Sequence, residues 1–135
     1  MFTKTELDLC RKIAEKERKE IRFGSWVLYN EQEYLVIDYF RHKTEPTHLN
    51  LYGLKRYVFE TDVTPLLSSH DCLEWLKKRY GEIFLKTWLG TMWCVSIGKR
   101  LNEELPIIGL SDLVGKTPLE ALLRAVLAIL EEEHD

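Results

Sequence analysis

Cysteine is scarce in this chain and does not pair. Cys10, Cys72 and Cys94 are an odd number at wide spacing, with no CxxC among them. Such spacing fits neither a disulfide framework nor a zinc knuckle, and a reducing cytoplasm is the expected compartment. Long apolar runs are missing as well. The N-terminus, Met1-Phe2-Thr3-Lys4-Thr5-Glu6, lacks an apolar signal region, and no stretch approaches the roughly 18 apolar residues of a membrane span. Neither secretion by a signal peptide nor membrane insertion is therefore expected. Charge of one sign is also short. The net charge is −3, with seven Lys+Arg against five Asp+Glu in residues 1–23, four against six in 24–65, and eight against eleven in 66–135. No segment carries the dense positive field that drives phosphate binding through counterion release, and the acidity is too low for a nucleic-acid mimic. GxGxxG, GxxxxGK[ST], HExxH and GxSxG are all absent, which excludes the enzyme classes that depend on them and leaves open only an enzyme with a dispersed site.

What is present is enough for a globular core: 135 residues, 45% hydrophobic and 11% aromatic. Three segments follow from the periodicities, 1–23, 24–66 and 67–135, all within one compact α+β domain. Residues 3–21 predict a helix, with Thr3 and Glu6 at capping-box spacing and a thin apolar stripe of Leu7, Cys10, Ile13, Ala14 and Ile21. The run Glu15 to Glu20 is read as its solvated face. From Phe23 the period falls to two. Ser25–Tyr29 and Tyr34–Phe40 predict a hairpin about the turn Asn30–Glu33, and His48–Tyr52 and Arg56–Glu60 predict two further short strands, closed by Thr61–Pro65. In the third segment Ser68 or Ser69 caps a helix that Gly81 stops, with Glu74 and Lys78 paired at i,i+4. Strands over 83–89 and 92–97 come next, the second uncharged enough to be buried on both faces, then a possible edge strand at Leu105–Leu110. Thr117, Pro118 and Glu120 start a last helix that is apolar around most of its girth. That girth exceeds what a small sheet covers, so the N-terminal helix, or a second copy docked on Thr117–Leu130 as a homodimer, is expected on its other side. Glu131, Glu132 and Glu133 oppose the macrodipole at the C-terminal end, where fraying is expected.

Two resemblances arise from these patterns. The strand order from Gly24 to Leu66 resembles the small SH3-like barrels of prokaryotic accessory domains. Trp93-Cys94-Val95-Ser96-Ile97, a variable loop, then Gly115-Lys116-Thr117-Pro118-Leu119-Glu120-Ala121, resembles small phage and prophage proteins built on an αββα sandwich. The second resemblance implies that fold, and it brings no catalytic residue with it.

Few residues propose chemistry. His70-Asp71-Cys72 sets three reactive groups in sequence, but neighbours on a helix point about 100° apart and cannot converge as a relay. A helix start is the better reading, with Asp71 in the cap, Cys72 inward and His70 in water. A zinc site from His70, Cys72 and Cys94 lacks a fourth ligand. Asp38, after four apolar strand residues, is expected to bond a turn. No catalytic, cofactor or metal residue is assigned. Aromatics concentrate in the β segment at Trp26, Tyr29, Tyr34, Tyr39, Phe40, Tyr52 and Tyr57, and about half should be core. Trp26, Tyr39 and Tyr52 are the candidate partner-binding residues. Arg41, Lys43, Lys55 and Arg56 beside them are the candidates for the less favoured alternative, a nucleic-acid face. The favoured function is a non-enzymatic phage or prophage accessory protein that modulates a host or viral protein, a counter-defence inhibitor being one instance.

Overall fold

The computed structural model describes residues 2–41, 43–44, 46–88, 90–98 and 113–134. In chain order the elements are α1 (Lys4–Lys16), β1 (Trp26–Tyr29), β2 (Gln32–Phe40), β3 (His48–Leu51), β4 (Val58–Phe59), a 3-10 turn (Glu60–Asp62), β5 (Thr64–Pro65), α2 (Ser69–Tyr80), β6 (Glu82–Trp88), β7 (Met92–Gly98), β8 (Val114–Gly115) and α3 (Pro118–His134). The fold is α+β, as expected. Its contacts divide the chain into two compact units, Met1–Glu17 with Leu67–Asp135, and Arg18–Leu66. The N-terminal helix thus belongs with the C-terminal segment, and the strand-rich stretch lies between them in sequence.

In the first unit, α1 starts where the capping box places it: Thr3 Oγ1 accepts from the Glu6 N–H at 3.1 Å, and Glu6 Oε1 accepts from the Thr3 N–H at 2.7 Å. It stops at Lys16, short of the expected 21. Beyond Ile13 the inward helical positions would fall to Lys16, Glu17 and Glu20, so no apolar surface supports further turns, and Ile21 packs instead in the core of the second unit. Ser68, not Ser69, caps α2, with Asp71 completing the box, and Gly81 ends it at φ 85°. β6, β7 and β8 form an antiparallel sheet in that order, and on the central strand the successive Cys94 and Val95 are both buried. The edge strand expected at Leu105–Leu110 lies outside the described residues, among which β8 is the last strand on that side.

α3 is covered within the single chain. Ala121, Leu122, Leu123, Ala125, Val126, Leu127, Ile129 and Leu130 are all buried, and α1, α2, β7 and β8 pack on the helix. Of the two covers expected for this helix, the chain supplies the N-terminal one. Its start is tied to that of α1. Thr117 Oγ1 accepts from the Glu120 N–H at 2.9 Å and donates to Glu6 Oε2 at 2.6 Å, while Glu120 accepts from the Lys116 N–H. Gly115 is required here, because a Cβ would lie 2.5 Å from the Ala121 nitrogen. At the other end the helix continues to His134, with Glu133 bonded to Arg79.

The second unit is a curled antiparallel sheet of five strands in the order β4-β3-β2-β1-β5. Tyr29 pairs with Gln32, so the hairpin turn is two residues rather than four, and Asn30 and Glu31 take the positive φ of 48° and 63° that such a tight turn needs. Ile21, Val27, Val36, Leu49, Leu51, Val58 and Val63 make the core. Arg18 anchors the entering chain by donating to the carbonyls of Glu60 at 2.8 Å and Val63 at 2.7 Å.

Candidate functional site

The alternation along β3 and β4 decides which side chains reach the outer face of the second unit. Leu49, Leu51 and Val58 are buried, so His48, Asn50, Tyr57 and Phe59 turn the other way. β2 joins them through an irregularity. Its register with β3 runs Val36 to Leu51 and then Asp38 to Asn50, so β2 advances two residues where β3 advances one, a bulge at Ile37. The bulge inverts the phase of the strand: Val36 is inward, Tyr39 packs against the core, and Asp38 and Phe40 are exposed. Without it, strict alternation from Val36 would bury Asp38 and Phe40 and turn Tyr39 outward.

Phe40, His48 and Phe59 therefore lie abreast on three neighbouring strands, through the pairs Phe40 to His48 and His48 to Phe59. Their rings make a continuous cluster with Tyr57. Phe40 meets Tyr57 edge-on at 5.5 Å, His48 meets Phe59 at 4.8 Å, and His48 stacks on Tyr57 at 6.4 Å. Edge-to-face packing of this kind contributes about 0.5–1.5 kcal/mol per pair, which holds the rings in place although Phe40, Tyr57 and Phe59 remain 42%, 57% and 44% exposed. A contiguous, fixed apolar patch open to water is unusual for a surface with no partner.

The residues singled out from sequence fall differently. Trp26 and Tyr52 are exposed, Tyr39 is turned inward, and no ring contact joins these three among the described residues. Arg41 is committed to Glu20, which also binds Arg22 at 2.8 Å, and its guanidinium lies 5.3 Å from the Tyr39 ring centre. The bond to Arg41, then that to Arg22, holds the Glu20 carboxyl below its usual range. Arg56 donates to the Tyr29 hydroxyl at 2.9 Å, whereas Lys43 and Lys55 are exposed. Across residues 18–66 seven Lys+Arg face seven Asp+Glu, so this unit is electrically neutral overall. His48 and Phe59 carry much of the patch and were not among the sequence candidates. The signal was present in the alternation of His48-Leu49-Asn50-Leu51 and Tyr57-Val58-Phe59.

In the first unit His70-Asp71-Cys72 lies at the start of α2. Asp71 completes the α2 cap, Cys72 is buried, and His70 faces water beside Glu74 at 3.2 Å, where Lys78 was expected as that carboxylate's partner. Asp38, the other carboxylate singled out, accepts from the Tyr39 N–H at 2.9 Å. Burial pushes the Cys10 thiol up to about 11. Among the described residues no three His, Cys, Asp or Glu side chains gather as metal ligands, and no helix is long and apolar enough to cross a membrane. Comparison with protein-family models, curated proteins and solved structures finds no match to this chain.

Proposed function

We propose that this chain is a non-catalytic accessory protein of the phage or prophage kind, which binds a host or viral protein and modulates it, inhibition being one form. The observation that carries the reading is the exposed ring cluster of Phe40, His48, Tyr57 and Phe59. Clustered aromatics are the side chains on which protein interfaces concentrate their binding energy, because they remove large areas from water with few torsions to freeze. Charge supports a protein over a nucleic acid as the ligand. The unit is neutral, and Arg41 beside the patch is already ion-paired with Glu20, so little counterion release is on offer.

The test is site-specific photocrosslinking in the native host, with a photoreactive phenylalanine analogue at Tyr57 and, as control, at Lys86 on β6. One defined protein should crosslink at Tyr57 only, and Phe40→Glu should abolish the product in a chain that still folds. Crosslinks to nucleic acid alone, lost at high salt and in Lys43→Glu or Lys55→Glu, would establish the alternative reading. A product unaffected by Phe40→Glu would remove the patch from consideration.

A further inference from the structure

Among the described residues the sheet of the second unit has two edges, and they are not equivalent. β5 contains Pro65, which has no N–H to give to an incoming strand. β4 has no such block. Which of its backbone groups face outward follows from one hydrogen bond, from the Glu60 N–H to the Thr47 carbonyl at 2.8 Å. In an antiparallel ladder, bonded and non-bonded pairs alternate. Thr47 with Glu60 is a bonded pair, His48 with Phe59 is non-bonded, and Leu49 with Val58 is bonded. The N–H and C=O of Phe59, and by the same alternation those of Tyr57, therefore point away from β3.

The edge that carries these groups reads Arg56-Tyr57-Val58-Phe59-Glu60. In order these are cation, ring, aliphatic, ring and anion, a pattern that matches itself when reversed about Val58. We infer that a second copy of this chain adds to β4 as an antiparallel strand, related by a two-fold axis through Val58. In that register the outward groups of Tyr57 pair with those of Phe59 in the second copy, and the reverse, so every outward group of the two residues finds a partner. Tyr57 then lies across from the other copy's Phe59 on the face that already bears Phe40 and His48, which joins two aromatic patches into one. Arg56 comes opposite Glu60 of the second copy twice, an isologous charge match. A parallel approach would set Arg56 beside Arg56 and Glu60 beside Glu60, so the charges also select direction. The inference is independent of which protein the patch binds.

An interface this small makes a weak dimer, so sedimentation of the full chain is followed from about 1 µM to 1 mM. The expected result is reversible dimerisation within that range. Phe59 has φ −80°, close to the proline value, and its N–H is not used by β3, so Phe59→Pro removes an outward donor without disturbing the ladder. It should abolish the dimer, while Phe59→Ala, which keeps the N–H, should weaken it less. Arg56→Glu and Glu60→Arg should each weaken dimerisation by about tenfold or more, since each replaces two attractive pairs with two repulsive ones. An equimolar mixture of these two variants should dimerise at least as well as the native chain, because every 56–60 pair is again of opposite charge. A chain that stays monomeric throughout, or a dimer indifferent to both charge reversals, overturns the inference. Should Phe59→Pro fail to fold by circular dichroism, the mixing experiment alone decides.

Discussion

Replacing Thr117 by Val tests whether the two helix starts of the first unit are one structural joint. The exchange conserves side-chain shape and removes only the hydroxyl. That hydroxyl does two things: it caps α3 through the Glu120 N–H at 2.9 Å, and it donates to Glu6 Oε2 at 2.6 Å. Loss of a cap costs about 1 kcal/mol. Loss of a hydrogen bond to a charged group costs about 2 kcal/mol, at the level expected when the acceptor cannot turn to water, and Glu6 is only 3% exposed. The two together give about 3 kcal/mol, or a fall of roughly 10 °C in melting temperature for a chain of this size. Thr117→Ser keeps both bonds and should cost less than about 1 kcal/mol. Urea unfolding followed by tryptophan fluorescence measures each variant, and Glu6→Gln alone and combined with Thr117→Val completes a double-mutant cycle. A coupling of about 1 kcal/mol or more is expected. A Thr117→Val loss below about 1 kcal/mol, or a coupling near zero, would mean that α3 is capped independently of α1 and that the joint is incidental.

Four other outcomes follow from the same unit. Gly115→Ala should destabilise by about 1–3 kcal/mol in the same unfolding assay, because the added methyl would sit 2.5 Å from a backbone nitrogen that the start of α3 cannot move. Cys10 should resist alkylation at pH 8 unless denaturant is present, since a thiol raised to about 11 is thiolate in on the order of one molecule in a thousand at that pH. The same shift sets a pH dependence. The thiol ionises at 9.0 when unperturbed and at about 11 when folded, so the folded state binds more protons between these values, and stability should be full below pH 9 and decline as pH rises toward 11. Arg79→Ala should cost about 1 kcal/mol, more at low salt than at high, by removing a guanidinium 4.0 Å from the Trp75 ring centre that also bridges Glu17 at 3.6 Å and Glu133.

The helix starts were legible from sequence because each is a local rule. Thr3 with Glu6, Ser68 with Asp71 and Thr117 with Glu120 each fall within one turn, and in each case the carboxylate reaches back across that turn. Even there, the partner of Glu120 shifted by one residue to the Lys116 N–H. What lay between distant residues was not legible. Glu6 and Thr117 are 111 positions apart, and nothing near either one announces the other. The end of α1 was misplaced because Ile21 continued the apolar count, although its burial comes from the sheet of the second unit.

The candidate site turned on the least local feature of all. A bulge is a property of two strands in register, so the composition of β2 alone cannot reveal it, and reading straight alternation through Ile37 assigns every later side chain to the wrong face. Tyr39, named from sequence as a candidate for partner binding, packs inward for this reason. The strands without a bulge, β3 and β4, present their leucines and valine to the core as a period of two requires, and their outward residues could have been named in advance. The candidate patch in this unit therefore rests on one inserted residue. By turning Phe40 outward beside His48, the bulge at Ile37 widens a ring cluster on two strands into a patch that spans three.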